Sequence, residues 1–524
     1  MKKILLTTAI SALAIGVSAQ SSIDAYQLSQ PDLRGTARFM SMGGAFGALG
    51  GDLSTLNYNP AGIGVYRSNE IGLTMDINMT SSKMDDGSGK WDKTNVYMNN
   101  LGYIGSINLD NDIMPYFQWG FSFSRQASFD RRYRGSYGSL GTSMSNYVAN
   151  FSNGYSPSEL GQTTYYNPYQ QYDIDWFSIL SYNAYIINPV GNTDTYNGLF
   201  NEDVTTGDAM FDVVEKGHID EYTINFGGNF VNTVYWGIGI GITDLDFTQT
   251  SNYDEQFDRA SVPADKGNAG VTEGRAYYNL SNYKHIDGTG VNFKIGAIFK
   301  PINEFRLGLA FHTPTYYNLS ENYDSSISYS YNTPVGDGTA YSDLAYFDWK
   351  LRTPFRMIVS AAGVVGGRFI LSADYEFANY RNMRVQDYDG YEYDDITDVV
   401  KSHYKPVNTF RIGAEFRITP QFSVRAGFVN SSSNVETSVN DGDYYVPTSG
   451  TNPAYTFDTS TRYITFGLGY RYKGFYVDAA YINKHRESTY RPFSSYDDNG
   501  WIYSPYSDFT SNDNNLVLSL GYKF

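Results

Sequence analysis

Apolar and polar residues alternate one by one along many stretches of this chain. Near the C-terminus Leu516, Leu518, Leu520, Tyr522 and Phe524 fall on one face, and Val517, Ser519, Gly521 and Lys523 on the other. Phe410, Ile412, Ala414, Phe416 and Ile418 alternate with Arg411, Gly413, Glu415 and Arg417. Ile464, Phe466, Leu468, Tyr470 and Tyr472 do the same against Thr465, Gly467, Gly469 and Arg471. Val291 to Phe299 and Phe305 to Phe311 repeat the pattern. A period of two belongs to a strand whose two faces meet different surroundings. A soluble sandwich also alternates, but its polar face meets bulk water and seldom needs so many glycines. Lipid on the apolar face and a polar lumen on the other would give this composition, with aromatics gathered at the strand ends.

The pattern predicts an all-β chain of about 14 strands. They are expected to begin near Glu70, Val96, Pro115, His218, Val234, Tyr277, Asn303, Asp343, Arg368, Lys405, Phe422, Ser460, Phe475 and Thr510. The links alternate in length. Short turns are expected at Asp110-Asn111-Asp112, Asn232-Thr233, Pro301-Ile302-Asn303, Gly366-Gly367, Thr419-Pro420-Gln421 and Lys473-Gly474, with long polar segments between them. Residues 70–524 therefore predict a transmembrane antiparallel β-barrel, its two ends on the short-turn, periplasmic side. No regular blade repeat of a propeller is present.

The longest loop is expected over 131–216. It holds Tyr165-Tyr166-Asn167-Pro168-Tyr169 and an apolar piece from Trp176 to Pro189, which predicts a short helix or hairpin over the barrel mouth. Such a cluster either forms a contact surface or stabilises its own loop. Gly102, Gly105 and Gly120 are candidate weak points in the wall.

Ahead of the first strand, Lys2 and Lys3, an apolar run from Ile4 to Val17 and the small residues Val17-Ser18-Ala19 read as a secretory signal peptide over 1–19. The expected destination is the bacterial outer membrane. Next comes a glycine-dense stretch from Arg34 to Gly64. It carries Phe39, Met40, Met42, Phe46 and Leu49, which favour burial and do not suit a linker. A phosphate loop would need Gly-Lys-Ser/Thr, and no lysine occurs there. Residues 20–69 are expected to fold as a plug, or hatch, inside the lumen. Its plug and gate residues would be Gly43, Gly44, Phe46, Asn59, Pro60 and Ala61. Pro60 restricts Asn59 to extended conformations, and the Asn59 amide bonds nearby backbone. The pair would fix the turn into the first strand or hold the plug against the wall.

Composition narrows the picture. The chain has 524 residues and no cysteine, so an exported protein of this size must be stabilised by barrel closure or a large core. Its net charge of -17 argues against nucleic acid as a partner. Enzyme chemistry finds little support. The five histidines, His218, His285, His312, His403 and His485, have no metal-ligand spacing, and no Gly-x-Ser-x-Gly elbow occurs in a strand-turn-helix context. No catalytic residue, metal or cofactor is expected. Phe524 closes an alternating strand with an aromatic, the usual mark by which the barrel assembly machinery recognises its clients.

Several motifs carry a resemblance. They are Met42-Gly43-Gly44-Ala45-Phe46, Asn59-Pro60-Ala61, the run GTGVNFKIGAIFKPINEFRLGLAFHTPTYY from Gly288 to Tyr317, and Leu351-Arg352-Thr353-Pro354 followed by a strand and Asp374-Tyr375-Glu376. With them the chain resembles the FadL/TodX family of outer-membrane transporters for hydrocarbons and long-chain fatty acids, as a Bacteroidota-like member. The resemblance implies a 14-stranded barrel with an N-terminal hatch. A hydrophobic small molecule would be captured at the outer mouth, held in an apolar pocket and released laterally into outer-membrane lipid by diffusion. Phe39, Met40, Met42 and Leu49 would line its path, and inward Lys294, Arg306 and Arg411 would meet a carboxylate head. Glu415, Asp374 and Glu376 are available to pair with such cations instead. The long insertion after the third strand departs from the family pattern. Two alternatives stand beside this one: a haem receptor using His312 or a loop histidine as axial ligand, and a surface adhesin built on a barrel.

Overall fold

Fourteen antiparallel strands close into a ring. The computed structural model describes residues 21–524 except 172, 202, 267–269, 449 and 496–503. The expected leader, 1–19, lies outside the described residues. The first strands are β1 (Glu70–Met84), β2 (Trp91–Asn108), β3 (Tyr116–Ser128, continued by Arg131–Tyr137) and β4 (Gly207–Phe230). Next come β5 (Val234–Pro263), β6 (Val271–Ile302), β7 (Phe305–His312 and Tyr316–Tyr331) and β8 (Ala345–Arg352 and Arg356–Val365). Then follow β9 (Phe369–Asn379 and Arg384–Asp387), β10 (Pro406–Arg417) and β11 (Phe422–Ser431). The last are β12 (Tyr455–Tyr472), β13 (Phe475–Arg491) and β14 (Ser507–Lys523). Each strand pairs with the next, and β1 pairs with β14 along its length, from Glu70↔Lys523 to Met84↔Phe509. Closure leaves no edge strand, so every spanning strand satisfies its backbone within the ring.

The burial pattern is inverted relative to a soluble protein. On β1 the apolar Ile71, Leu73, Met75 and Ile77 are exposed, while Glu70, Thr74, Asp76 and Asn78 are buried. Leu516, Leu518 and Leu520 on β14 and Phe410, Ile412 and Phe416 on β10 also point outward. An apolar belt around a closed ring, over a polar interior, is the arrangement of a membrane-spanning barrel.

The strand starts agree with the pattern on the short-turn side and near Asp343 and Lys405, and the other long-loop starts come earlier than expected, at Trp91, Gly207, Val271, Tyr455 and Ser507. The longest connection is 138–206, shorter than the expected 131–216. The ends of that span belong to strands: Arg131–Tyr137 pairs with β4 from Arg131↔Glu215 to Tyr137↔Ala209. Here the strands have left the membrane and both faces carry polar groups, so the alternation that reveals a spanning strand is lost. Arg132 and Asp212 form an ion pair across this extension.

Inside the connection, Ser143 and Asp175 cap helices Met144–Phe151 and Trp176–Asn183. The apolar piece is turned inward. Phe177, Ile179, Leu180, Ile186 and Ile187 join one core with Tyr253, Tyr278, Tyr323, Tyr331, Tyr490 and Phe509 from the outer ends of the wall strands. The apolar piece therefore packs against the ends of the wall strands rather than presenting a contact surface, while Tyr165 stands fully exposed.

Three neighbouring strands are interrupted. β7 breaks at Thr313-Pro314-Thr315, β8 at Thr353-Pro354-Phe355 and β9 at the turn Tyr380–Asn382. Pro314 and Pro354 have no amide hydrogen for the ladder. The gap is partly bridged: Thr353 N donates to Thr315 O at 3.1 Å, and Thr315 N to Thr353 Oγ1 at 2.9 Å. The glycines expected to weaken the wall lie elsewhere, in continuous strands. Gly102 and Gly120 sit against Leu53 and Ile63 of the N-terminal segment, and Gly105 against Trp119.

Candidate functional site

Residues 21–66 lie against the inward faces of the strands. Helix Ala37–Ser41 is capped by Thr36, whose side chain accepts from Phe39 N. It ends in Gly43 and Gly44, whose φ values of 61° and 71° fall in the left-handed region that glycine adopts without strain. The chain then crosses the lumen to Asn59 and a 3₁₀ turn, Pro60–Val65, with Pro60 at its first position.

The wall's inward glycines have a steric reason. A Cβ on Gly296 would overlap Asn59 Oδ1. On Gly308 it would overlap the Gly47 carbonyl, on Gly413 the Met42 carbonyl, and on Gly427 the backbone at Met42–Gly43. These positions on β6, β7, β10 and β11 let the segment's backbone touch the strands directly. Inward side chains then hold its polar groups. Asp374 Oδ2 accepts from Gly47 N at 2.9 Å, His312 Nε2 meets Tyr58 O at 2.8 Å, and Thr465 Oγ1 donates to Ser41 O at 2.9 Å. Asn225 Nδ2 donates to Leu56 O at 2.9 Å. Asn59 bonds within the segment: Nδ2 donates to Gly47 O at 2.5 Å, and Oδ1 accepts from Ala61 N at 3.1 Å.

The expected plug residues are thereby placed. Gly43, Gly44, Phe46, Asn59, Pro60 and Ala61 are all buried between segment and wall. Phe39, Met40, Met42, Phe46 and Leu49 form a packed core with Tyr58 and with Ala310, Ile358, Val429, Tyr463 and Ile482 of the strands.

Above the segment, within the ring, lies a chamber of about 260 Å³. Tyr26, Phe129, Tyr317, Tyr380, Tyr455 and Tyr463 give it aromatic surface. Hydroxyl and amide groups fill the spaces between, among them Ser128, Thr243, Asn282, Asn292, Thr409 and Ser431. Thr313, Thr315, Thr353 and Pro354 also line it, so the interrupted stretch of β7 and β8 forms one side of the chamber. Irregular backbone at membrane depth is tolerated where it lines a cavity. On the outer face of the same stretch Phe355 stands between Phe311 and Phe377, with ring centroids 5.9 and 6.2 Å away.

The chamber's cations are paired. Lys294 is bound to Glu221, Arg411 Nη1 donates to Glu376 at 2.7 Å, and Arg356 Nε to the same carboxylate at 2.6 Å. Arg411 also donates to Tyr58 OH at 3.1 Å and so ties the segment to β9 and β10. Glu415 takes Arg38 and Arg425. Arg306 differs. It lies below the segment, donates to the Leu49 carbonyl at 2.6 Å and has no carboxylate partner among the described residues. Lys294 and Arg411 therefore share the chamber, and Arg306 does not. Sequence reasoning missed the touching role of Gly296, Gly308, Gly413 and Gly427; their place on the polar face of alternating strands was its only visible trace. Among the described residues no group of three or more His, Asp or Glu is placed to hold a metal.

No family model and no curated protein matches this chain. Solved structures do. The crystal structure of a Pseudomonas aeruginosa FadL homologue aligns over 94% of this chain and 99% of that chain, at 14% identity and a TM-score of 0.54. The P. putida toluene transporter TodX aligns over 94% and 99% at 14% identity with a TM-score of 0.48. The Ralstonia pickettii toluene transporter TbuX does so over the same shares at 13% identity with a TM-score of 0.45. The first of these likenesses shows the fold. With the apolar belt and the closed ring, it makes this chain an outer-membrane β-barrel.

Proposed function

We propose that this barrel is a passive channel for small hydrophobic or amphiphilic compounds, long-chain fatty acids and related hydrocarbons among them. One observation carries the proposal: a chamber of tyrosine rings, hydroxyls and amides stands over residues 21–66, and one side of it is the interrupted stretch of β7 and β8. An open pore for polar solutes would have a continuous lumen. A chamber stopped below by packed protein suits a ligand that is held and handed on. In this scheme residues 21–66 act as a plug and the 138–206 connection as a lid. The ligand rests its apolar body on the tyrosine rings and its polar end on the hydroxyl and amide groups. It leaves between Thr315 and Thr353, where two prolines interrupt the ladder and Phe311, Phe355 and Phe377 frame the lipid side. No energy input is invoked, since an apolar molecule moves to lipid down its own gradient. The likeness to the Pseudomonas aeruginosa FadL homologue is compatible with this use of the fold.

The test is mass spectrometry of compounds that copurify with the barrel in mild detergent, beside a Thr409→Trp variant whose indole would fill the chamber. Fatty acid or hydrocarbon enriched in the parent protein and lost from the variant supports the proposal. No apolar compound in either, with no uptake into vesicles carrying the parent barrel, overturns it.

A further inference from the structure

A second cavity, of about 290 Å³, opens below residues 21–66 on the short-turn side. Its lining includes four cations, Arg38, Arg67, Arg306 and Lys523, and no aspartate or glutamate. That is not the background of this chain, which carries 55 acidic against 38 basic residues. Two of the four are matched nearby: Arg38 shares Glu415 with Arg425, and Lys523 Nζ lies 2.8 Å from Glu70 Oε2. The other two have no carboxylate within ion-pair distance among the described residues. Arg306 donates to Leu49 O, and its Nε is buried without a partner. Arg67 donates to the carbonyls of Gly64 and Tyr66, both at 2.9 Å, and to Asn232 Oδ1 at 2.6 Å. Neutral oxygens orient these guanidinium groups without cancelling their charge. Holding the unneutralised Arg306 Nε away from water is costly, whereas Arg67 stands exposed at the rim. Above the segment Lys294, Arg356 and Arg411 escape that cost by pairing.

Guanidinium groups with free N–H directions recognise oxyanions by charge-assisted hydrogen bonds. Leu49, Val65, Val364 and Ile370 line the remaining surface and leave apolar room beside the charge. We propose that this cavity is an oxyanion site, in which Arg306 and Arg67 bind a phosphate or carboxylate supplied as a free anion or as the head group of an amphiphile. The site does not depend on what the chamber above holds.

The experiment is calorimetric titration of the full barrel, in nonionic detergent at low salt, with inorganic phosphate, hexyl phosphate and hexanol. Arg306→Gln and Arg67→Gln are titrated beside it, with folding checked by heat-dependent gel mobility. Each substitution is expected to weaken phosphate-group binding by about tenfold or more. Hexanol is expected not to bind there. Hexyl phosphate binding well above inorganic phosphate assigns the site to an amphiphile's head group; equal binding assigns it to the free anion. Arg67 lies at the rim, so its variant tests the site even where Arg306→Gln fails to fold. No binding of either phosphate to the parent barrel at millimolar concentration, or unchanged affinity in the folded variants, overturns the proposal.

Discussion

Asn59 occupies the place that a side chain on Gly296 would fill. The absent side chain of a wall strand and the amide of the inner segment are thus one fitted contact. A methyl at 296 has no free direction, because Asn59 is held at both ends by Gly47 O and Ala61 N. Gly296→Ala is expected to destabilise the packing by about 1–3 kcal/mol, as overpacked cores do. The loss should appear as faster proteolysis within residues 21–66 while the strands stay resistant. Asn59→Ala removes a cap and is expected to cost about 1 kcal/mol. The double variant should cost less than the sum of the two, because the clash goes with the amide.

The interrupted wall gives a second prediction. The chain has no cysteine, so a disulfide placed across the break with Thr315→Cys and Thr353→Cys is unambiguous. Under oxidation the double variant is expected to retain bound apolar compound and to slow its transfer to vesicles, with recovery on reduction. Equal transfer rates in the two redox states would place the exit elsewhere.

Glu376 is shared in the chamber by two guanidinium groups, Arg356 and Arg411. Glu376→Gln leaves two largely buried guanidinium groups facing a neutral amide. Breaking such a pair costs about 3–5 kcal/mol. The urea midpoint of the detergent-solubilised barrel is expected to fall accordingly, and Arg411→Gln in the same chain should restore part of it.

Two loop elements are expected to respond to acid in opposite directions. Burial pushes the Asp175 carboxyl, at the start of helix Trp176–Asn183, up to about 6. Its native form gains a proton before the unfolded form does. Its stabilising contribution is therefore complete below pH 3.8 and lost as pH rises through about 6. Burial lowers His403, at the end of helix Asp394–His403, to about 4. Its contribution is complete above pH 6.5 and lost as pH falls toward 4. From pH 7 to 5, protection against amide exchange, corrected for the intrinsic rate, should therefore rise in 176–183 and fall in 394–403.

The spanning strands were legible because lipid imposes an alternation at every residue. Leu516 to Phe524 and Phe410 to Ile418 display it without interruption. Arg131–Tyr137 did not, since above the membrane water meets the outer face and nothing demands an apolar residue there. The alternation of Phe305 to Phe311 stops short of Pro314, but a partner stretch at Thr353-Pro354 breaks at the same level and β7 resumes at Tyr316. One strand seen alone does not reveal that its neighbour fails beside it. The burial of Phe39, Met42 and Phe46 followed from their type, whereas their partners Ala310, Ile358 and Val429 are brought together only by closure of the ring. Cation roles were least legible. Lys294, Arg306 and Arg411 look alike on their strands, and only the carboxylates facing them in space separate the paired from the unpaired.

The seam between β1 and β14 joins the two ends of the ring, and residues 21–66 touch strands on every side of the lumen behind it. The wall and the segment are therefore rim and hub: a single continuous stretch of chain sets the bore that fourteen separate strands must share. The inward glycines fix how close rim and hub can come, since a Cβ at 296, 308, 413 or 427 would push the wall outward there.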